Sequence, residues 1–136
     1  MNTWGIRNKY LKDNGITYSE YLSTAHWKEL RERKLASKTS YRCYACGKRS
    51  GLELHHKTYK RIGKEWLNDV IWLCRDCHES THTFEREHRG KGNTLYKAAR
   101  YVRKKKEKQA KRNKRTNCAC ITDSQLTSLQ QTSSRQ

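Results

Sequence analysis

"C74-R-D-C77-H78-E-S-T-H82" sets two cysteines in CxxC spacing directly before two histidines four residues apart. A CxxC pair is a knuckle that turns two thiolates toward one ion. Histidines at i and i+4 of a helix lie one turn apart on the same face, which suits two ligands of one ion. Together with a second CxxC upstream, these groups exceed the four ligands that one tetrahedral ion takes. The stretch therefore predicts a helix whose start serves one site and whose first turns serve another.

The partners lie upstream. "Y41-R-C43-Y-A-C46-G47-K48" is a second CxxC, with Gly47 where a tight turn favours positive φ. Between Cys46 and Cys74 lie 27 residues. Cys43, Cys46, Cys74 and Cys77 together predict one structural zinc site with no open position, clipping the intervening loop. "L52-E-L-H55-H56" alternates like a short strand, so His55 and His56 are expected on opposite faces. One of them completes a three-histidine site with His78 and His82, and the other stands beside it. Three protein ligands leave coordination positions open, as a catalytic ion requires. An uncoordinated imidazole next to such an ion is suited to act as a general base near neutral pH.

The whole chain sets the bounds. It has 136 residues and a formal net charge of +18. That balance favours a polyanionic partner, most simply nucleic acid, where each Lys or Arg near a phosphate releases counterions. Low hydrophobic content and small size call for a metal or disulfide staple. No run is apolar enough to span a bilayer, and "MNTWGIRNKYLKDNG" has no secretory h-region, so a cytoplasmic, reducing setting is expected. There, CxxC pairs favour metal over disulfide.

Residues 1–16 show no strong pattern and are expected as an N-terminal arm. "T17-Y-S-E20" reads as a capping box that opens one helix running to about Ala36. Leu22, Ala25, Glu29/Leu30 and Arg33 recur at helical spacing, and "KELRERK" forms a basic outer face. Turn chemistry gathers at Gly63, "V70-I-W-L73" reads as a strand, and Cys77 to about Arg86 as a helix. "H88-R-G-K-G-N93" breaks the chain, and a further helix begins near Thr94 with Leu95, Ala98, Ala99 and Val102 on one face. Between Lys97 and Arg115 lie eleven basic residues and one acid. Residues 116–136, rich in Ser, Thr and Gln, are expected to be disordered, with Cys118 and Cys120 incidental. His26 and His88 read as surface or helix-face residues. Tyr41, Tyr44, Tyr59 and Trp72 read as core packing.

"LELHHKTY…LNDVIWLCRDCHESTH", preceded by "CYACG", resembles the HNH endonucleases, in the version with a four-cysteine zinc site. "YLSTAHWKELRERKL" is similar to the helix that often precedes this module in bacterial and phage members. The resemblance covers roughly Tyr18 to His82, about half the chain. It implies a ββα-metal core and metal-dependent cleavage of double-stranded DNA. By position, it implies His55, His78 and His82 as ligands of the catalytic ion and His56 as the general base. The middle Asn of the family pattern falls at Asp69, nine residues before His78, with Asn68 beside it. Either of the two would brace the loop that carries the base.

The expected molecule is thus a small α+β nuclease. A zinc-stapled HNH domain (17–92) is flanked by an N-terminal helix and followed by a basic helical extension (93–115). Its ions are a structural Zn2+ and a catalytic divalent metal such as Mg2+, Mn2+, Ni2+ or Zn2+. Lys57, Lys60, Arg61 and Arg75 are expected at phosphates near the scissile bond, and Arg103, Lys104, Lys105 and Lys106 in a sequence-independent clamp. The family setting implies a phage-packaging or mobile-element partner. The alternatives are a non-catalytic zinc-stabilised nucleic-acid-binding module and an RNA-directed role.

Overall fold

Two short strands, β1 (Leu52–His56) and β2 (Val70–Cys74), pair antiparallel with Leu52 opposite Cys74 and His56 opposite Val70. The structure, a computed structural model, describes residues 3–38, 40–88 and 95–133, and side chains as far as residue 117. Helices α1 (Thr3–Asp13), α2 (Tyr18–Leu22) and α3 (Ala25–Ala36) precede the strands. A 3-10 turn at Leu67–Asp69 leads into β2, and α4 (Arg75–Glu87) and α5 (Leu95–Ser133) follow it. The class is α+β, as expected.

The chain divides into two compact units, Met1–Arg103 and Lys104–Gln136. In the first, β2 is buried along its whole length because both faces of the strand pair are covered. One cluster holds Cys43, Ala45, Trp72, Cys74, Cys77, Ala99 and Val102, so the opening turns of α5 pack over the cysteine knuckles. The other cluster holds Leu11, Tyr21, Trp27, Leu30, Tyr59, Ile62, Val70 and Leu95. The apolar face read at the start of α5 is therefore the buried one. The second unit is helical to Ser133.

Several expectations need correction. Residues 3–13 form a helix. Its end is a Schellman motif, with Gly15 at φ +62°, Gly15 N–H donating to Lys12 O and Ile16 N–H to Leu11 O. Leu11 enters the core while Trp4, Ile6 and Tyr10 pack at its edge. The helix was hidden because these apolar residues do not recur at a regular helical interval.

The expected single helix 18–36 is two helices. The Thr17–Glu20 capping box forms as read. The helix nevertheless stops at Ser23, and Thr24 caps a new one by accepting from Trp27 N at 3.3 Å. Adjacent Ser and Thr hydroxyls compete for the backbone groups a continuous helix would use. The inner face is accordingly Tyr21, Trp27, Leu30 and Lys34, while Leu22 is exposed. Lys34 leaves the basic outer face and donates to Leu67 O at 2.8 Å, tying α3 to the 3-10 turn.

α5 also continues through the Ser/Thr/Gln-rich segment that was expected to be disordered. No Gly or Pro interrupts residues 95–133. The breaker at 89–93 and the boundary at residue 92 lie outside the described residues, as do the side chains of Cys118 and Cys120.

Candidate functional site

The strand pair and α4 bring the two ligand sets together from opposite ends of one junction. Cys74 ends β2 and is the N-cap of α4, so strand, helix and knuckle share one residue. Across the junction, Tyr44 N–H donates to Trp72 O at 2.8 Å, pinning the first knuckle to β2. The four sulfurs of Cys43, Cys46, Cys74 and Cys77 are grouped so that they could hold a metal ion. Cys46 Sγ and Cys74 Sγ are 3.7 Å apart, far beyond a disulfide bond, and all four thiols are free. Burial raises the Cys43 thiol, but backbone N–H groups of Cys74, Cys46 and Ala45 outweigh it and bring it down to about 7. Cys77 is pushed up, first by burial and then by the neighbouring sulfurs. A crowded set of thiols with one poised to ionise is a ready recipient for a cation.

His55, His78 and His82 form the second group that could hold an ion. His78 and His82 share a face of α4, and His55 reaches them from β1, with ring centroids 5.0 Å from His78 and 5.1 Å from His82. Carboxylates fix the two helix rings. His78 Nδ1 lies 2.6 Å from Glu53 Oε2, and His82 Nδ1 lies 3.1 Å from Glu85 Oε2. Each Nδ1–H donates to its carboxylate, which leaves both Nε2 lone pairs free. Those two Nε2 atoms face one another at 3.0 Å. A proton shared between them or a metal ion bound by both satisfies that separation.

The third nitrogen favours the metal ion. His55 Nε2 is buried with no hydrogen-bond partner. Burial, then the neighbouring His78, His82 and His56, holds His55 well below the usual histidine range, so this ring is neutral and its lone pair available. His78 is also lowered, by burial and by His82, against the opposing pull of Glu53. A buried polar atom without a partner is costly, and a metal ion is one way to satisfy it.

His56 faces the other way, as strand alternation requires. It is 1 % exposed, and Trp27 stacks on it with ring centroids 4.7 Å apart. Its Nε2 lies 3.0 Å from Glu65 Oε1, and its Nδ1 lies 3.2 Å from Tyr18 Oη. Glu65 also meets His26 Nε2 at 2.5 Å and accepts from Tyr21 Oη. Burial raises Glu65, but the bonds from His56, Tyr21 and His26 prevail and bring it down to about 2. Glu65 is thus ionised and faces His56 Nε2, while the Tyr18 hydroxyl faces Nδ1.

Asn68 is exposed, while Asp69 is buried and makes several contacts. Its backbone O accepts from Lys57 N–H at 2.6 Å, directly after His56. Its carboxylate accepts from Trp66 N–H at 2.8 Å and from both Nε and a terminal nitrogen of Arg61. Burial works to raise Asp69, and Arg61 and the Trp66 amide outweigh it and lower it.

The basic residues expected at phosphates divide by this geometry. Arg61 is engaged with Asp69 and lies 4.1 Å from the Trp66 ring. Arg75 pairs with Glu79 at 3.4 Å on the open side of α4. Lys60 is exposed, and Lys57 Nζ lies 4.9 Å from the Tyr96 ring. Arg103 lies 4.9 Å from the Tyr44 ring. Lys104, Lys105 and Lys106 belong to the second unit. Of the four aromatic residues read as core, Tyr59 and Trp72 are buried, Tyr44 is half-buried and Tyr41 is exposed.

The sequence reading missed Glu53, Glu65, Glu85 and His26. For Glu53 and Glu85 a signal was present: they stand two residues before His55 and three after His82, spacings that put each beside a ligand. Glu65 and His26 had none, since their partners are assembled from distant segments. No family model matches the chain. No curated protein or solved structure matches it.

Among the described residues, no helix is long and apolar enough to cross a membrane.

Proposed function

We propose that this chain is a metal-dependent endonuclease of the HNH type that hydrolyses phosphodiester bonds of DNA. The observation that carries the reading is the grouping of three imidazoles, each offering a nitrogen within 4.8 Å of the others, with His55 Nε2 buried and without a hydrogen-bond partner. The strand pair followed by α4 is the arrangement that the ββα-metal resemblance implies.

His55, His78 and His82 would hold a divalent ion such as Mg2+, Mn2+, Ni2+ or Zn2+. When bound, that ion polarises a phosphate oxygen and stabilises the leaving oxygen. Glu53 and Glu85 orient the two helix ligands and raise their basicity. Glu65 holds the Nε2–H of His56, which leaves Nδ1 as the nitrogen that takes a proton from water once the Tyr18 hydroxyl gives way. Asp69 and Arg61 fix the loop behind it. Zinc is the proposed occupant of the four cysteines. A tetrahedron with Zn–S bonds of about 2.3 Å has edges of about 3.8 Å, and Cys46 and Cys74 already stand 3.7 Å apart.

One observation favours a second reading, a zinc-stabilised DNA-binding module without catalysis. Both His56 nitrogens are engaged inside the protein, and the ring is almost wholly enclosed. α4 also spells His78-Glu79-x-x-His82, the spacing of zinc peptidases in which the glutamate is the base. Glu79 is turned away here, 68 % exposed and paired with Arg75.

A supercoiled-plasmid assay decides between the two main readings. The parent is expected to cleave only with added divalent metal. His56→Ala is expected to keep its zinc and its DNA affinity and to lose cleavage. Glu79→Ala should cleave like the parent. A parent that binds DNA tightly and cleaves it under none of the four metals establishes the binding module instead.

A further inference from the structure

We propose that Tyr44, Lys57, Tyr96, Arg100 and Arg103 form a seat for one phosphodiester group of a bound nucleic-acid strand, beside the three-histidine site. The proposal rests on the reading of that site as acting on nucleic acid, and it adds where the neighbouring phosphate is held.

Three separate segments meet at the seat. Tyr44 comes from the first cysteine knuckle, Lys57 follows β1, and Tyr96, Arg100 and Arg103 lie on the opening turns of α5 at i, i+4 and i+7, one face of the helix. The Tyr44 and Tyr96 rings are 6.1 Å apart. The cations surround them. The Arg103 guanidinium is 4.9 Å from the Tyr44 ring, Lys57 Nζ is 4.9 Å from Tyr96, and Arg100 is 5.7 Å from Tyr96. Tyr96, Arg100 and Arg103 are exposed, and Lys57 and Tyr44 are half-buried.

The electrostatics agree with this geometry. The Tyr96 hydroxyl is held below its usual range first by the neighbouring Tyr44 hydroxyl and then by the charges of Lys57, Arg100 and Arg103. A place that stabilises a phenolate stabilises a phosphate oxygen for the same reason. A guanidinium carries five N–H donors, so one that lies against a phenol can also present a pair of them to a phosphate in bidentate fashion.

Position links the seat to the chemistry. Lys57 N–H prolongs the strand pairing by donating to Asp69 O. Glu53, His55 and Lys57 therefore alternate onto one face. The Lys57 backbone lies about 7 Å further along the strand direction than that of His55, close to the spacing of successive phosphates in a nucleic-acid strand. A strand with one phosphate at the histidines would set its neighbour at Lys57 and Tyr96.

The test is binding of a labelled 20-base-pair duplex across a salt series, without added divalent metal. Two variants are compared with the parent: Lys57→Gln/Arg100→Gln/Arg103→Gln and Tyr44→Phe/Tyr96→Phe. Zinc content and melting temperature confirm that each is folded. The triple variant is expected to lose about tenfold in affinity near 0.1 M salt. Its slope of log K against log salt should fall by about 0.9, the value for one phosphate. The phenylalanine variant, which removes neutral donors, should bind more weakly with the slope unchanged. A triple variant with parental affinity and slope overturns the seat, since the cations would then only be packed on the rings. A fall of about 2.7 in the slope also overturns it, because the three cations would be meeting three separate phosphates. Plasmid cleavage is read independently. A parent that never cleaves, with the slope change present, removes the nuclease and leaves the seat. Parental binding by a cleaving triple variant does the reverse.

Discussion

Glu85 accepts from His82 Nδ1 with one oxygen, while the other lies 3.9 Å from His55 Nε2, buried and without a hydrogen bond. A single carboxylate thus touches the surroundings of two ligands. Glu85→Gln keeps the shape and removes the charge. It should weaken divalent-ion binding at the histidines by about 10- to 100-fold, read by calorimetry or by the Co2+ absorption spectrum. Parental affinity would remove Glu85 from the site. Glu65 makes a prediction about acid. Its folded-state value of about 2 lies below the ordinary 4.5, so its stabilisation is fully present above 4.5 and is lost as pH falls toward 2. The loss amounts to roughly 3 kcal/mol. Urea midpoints should therefore decline over that window in the parent and decline less in Glu65→Gln. Equal declines would show that the network contributes nothing. The two groups that could hold an ion were legible at this scale because Cys and His spacing is local. The Glu65 network was not, because His26 and His56 approach it from 39 and 9 residues away and no periodicity announces such a meeting.

Among the elements, α4 depends most on what precedes it. Cys74 caps it without a side-chain hydrogen bond, so the helix start relies on the knuckle instead. Cys74→Ser should lose the ion at the cysteines, loosen the first turn that carries His78, and abolish cleavage with it. A zinc-free Cys74→Ser protein with full cleavage would refute the coupling. The loop before β2 is equally constrained. Gly63 has φ +85°, and a β-carbon there would stand 2.5 Å from the Tyr10 hydroxyl. Gly63→Ala should cost about 1–3 kcal/mol, measured by thermal melting, and parental stability would mean that α1 can yield. The strands, the capping box and α4 were legible because each rests on a pattern inside its own residues. The break at Ser23 and Thr24 and the existence of α1 were not, since both are settled by what the tertiary core accepts. Lys34 shows the same limit: its charge marked it as surface, and a carbonyl 33 residues away took it inward.

At the scale of the molecule, both ligand groups lie within Met1–Arg103. A chain ending at Arg103 is expected to fold, to bind zinc and to cleave. Its salt slope for DNA binding should fall by about 0.9 for each phosphate that Lys104 to Arg115 contacts. An unchanged slope would leave those eight basic residues with no part in binding. The charge of the chain, legible from composition, is what makes a polyanionic partner the expected one. Composition could not say how far α5 runs, because disorder and an unsupported helix use the same polar residues.

Cys77 and His78 are consecutive, so a single peptide bond separates the two candidate ion sites. Their donors differ in kind. Four thiolates form a closed cage that grips a soft ion, and three imidazoles with open positions grip less firmly. Chelation should therefore proceed in two grades. A mild chelator would empty the histidines first and leave a folded, silent protein that any of several metals restores. A strong one would go on to strip the cysteines and undo the start of α4, and restoring activity would then require refolding as well as metal.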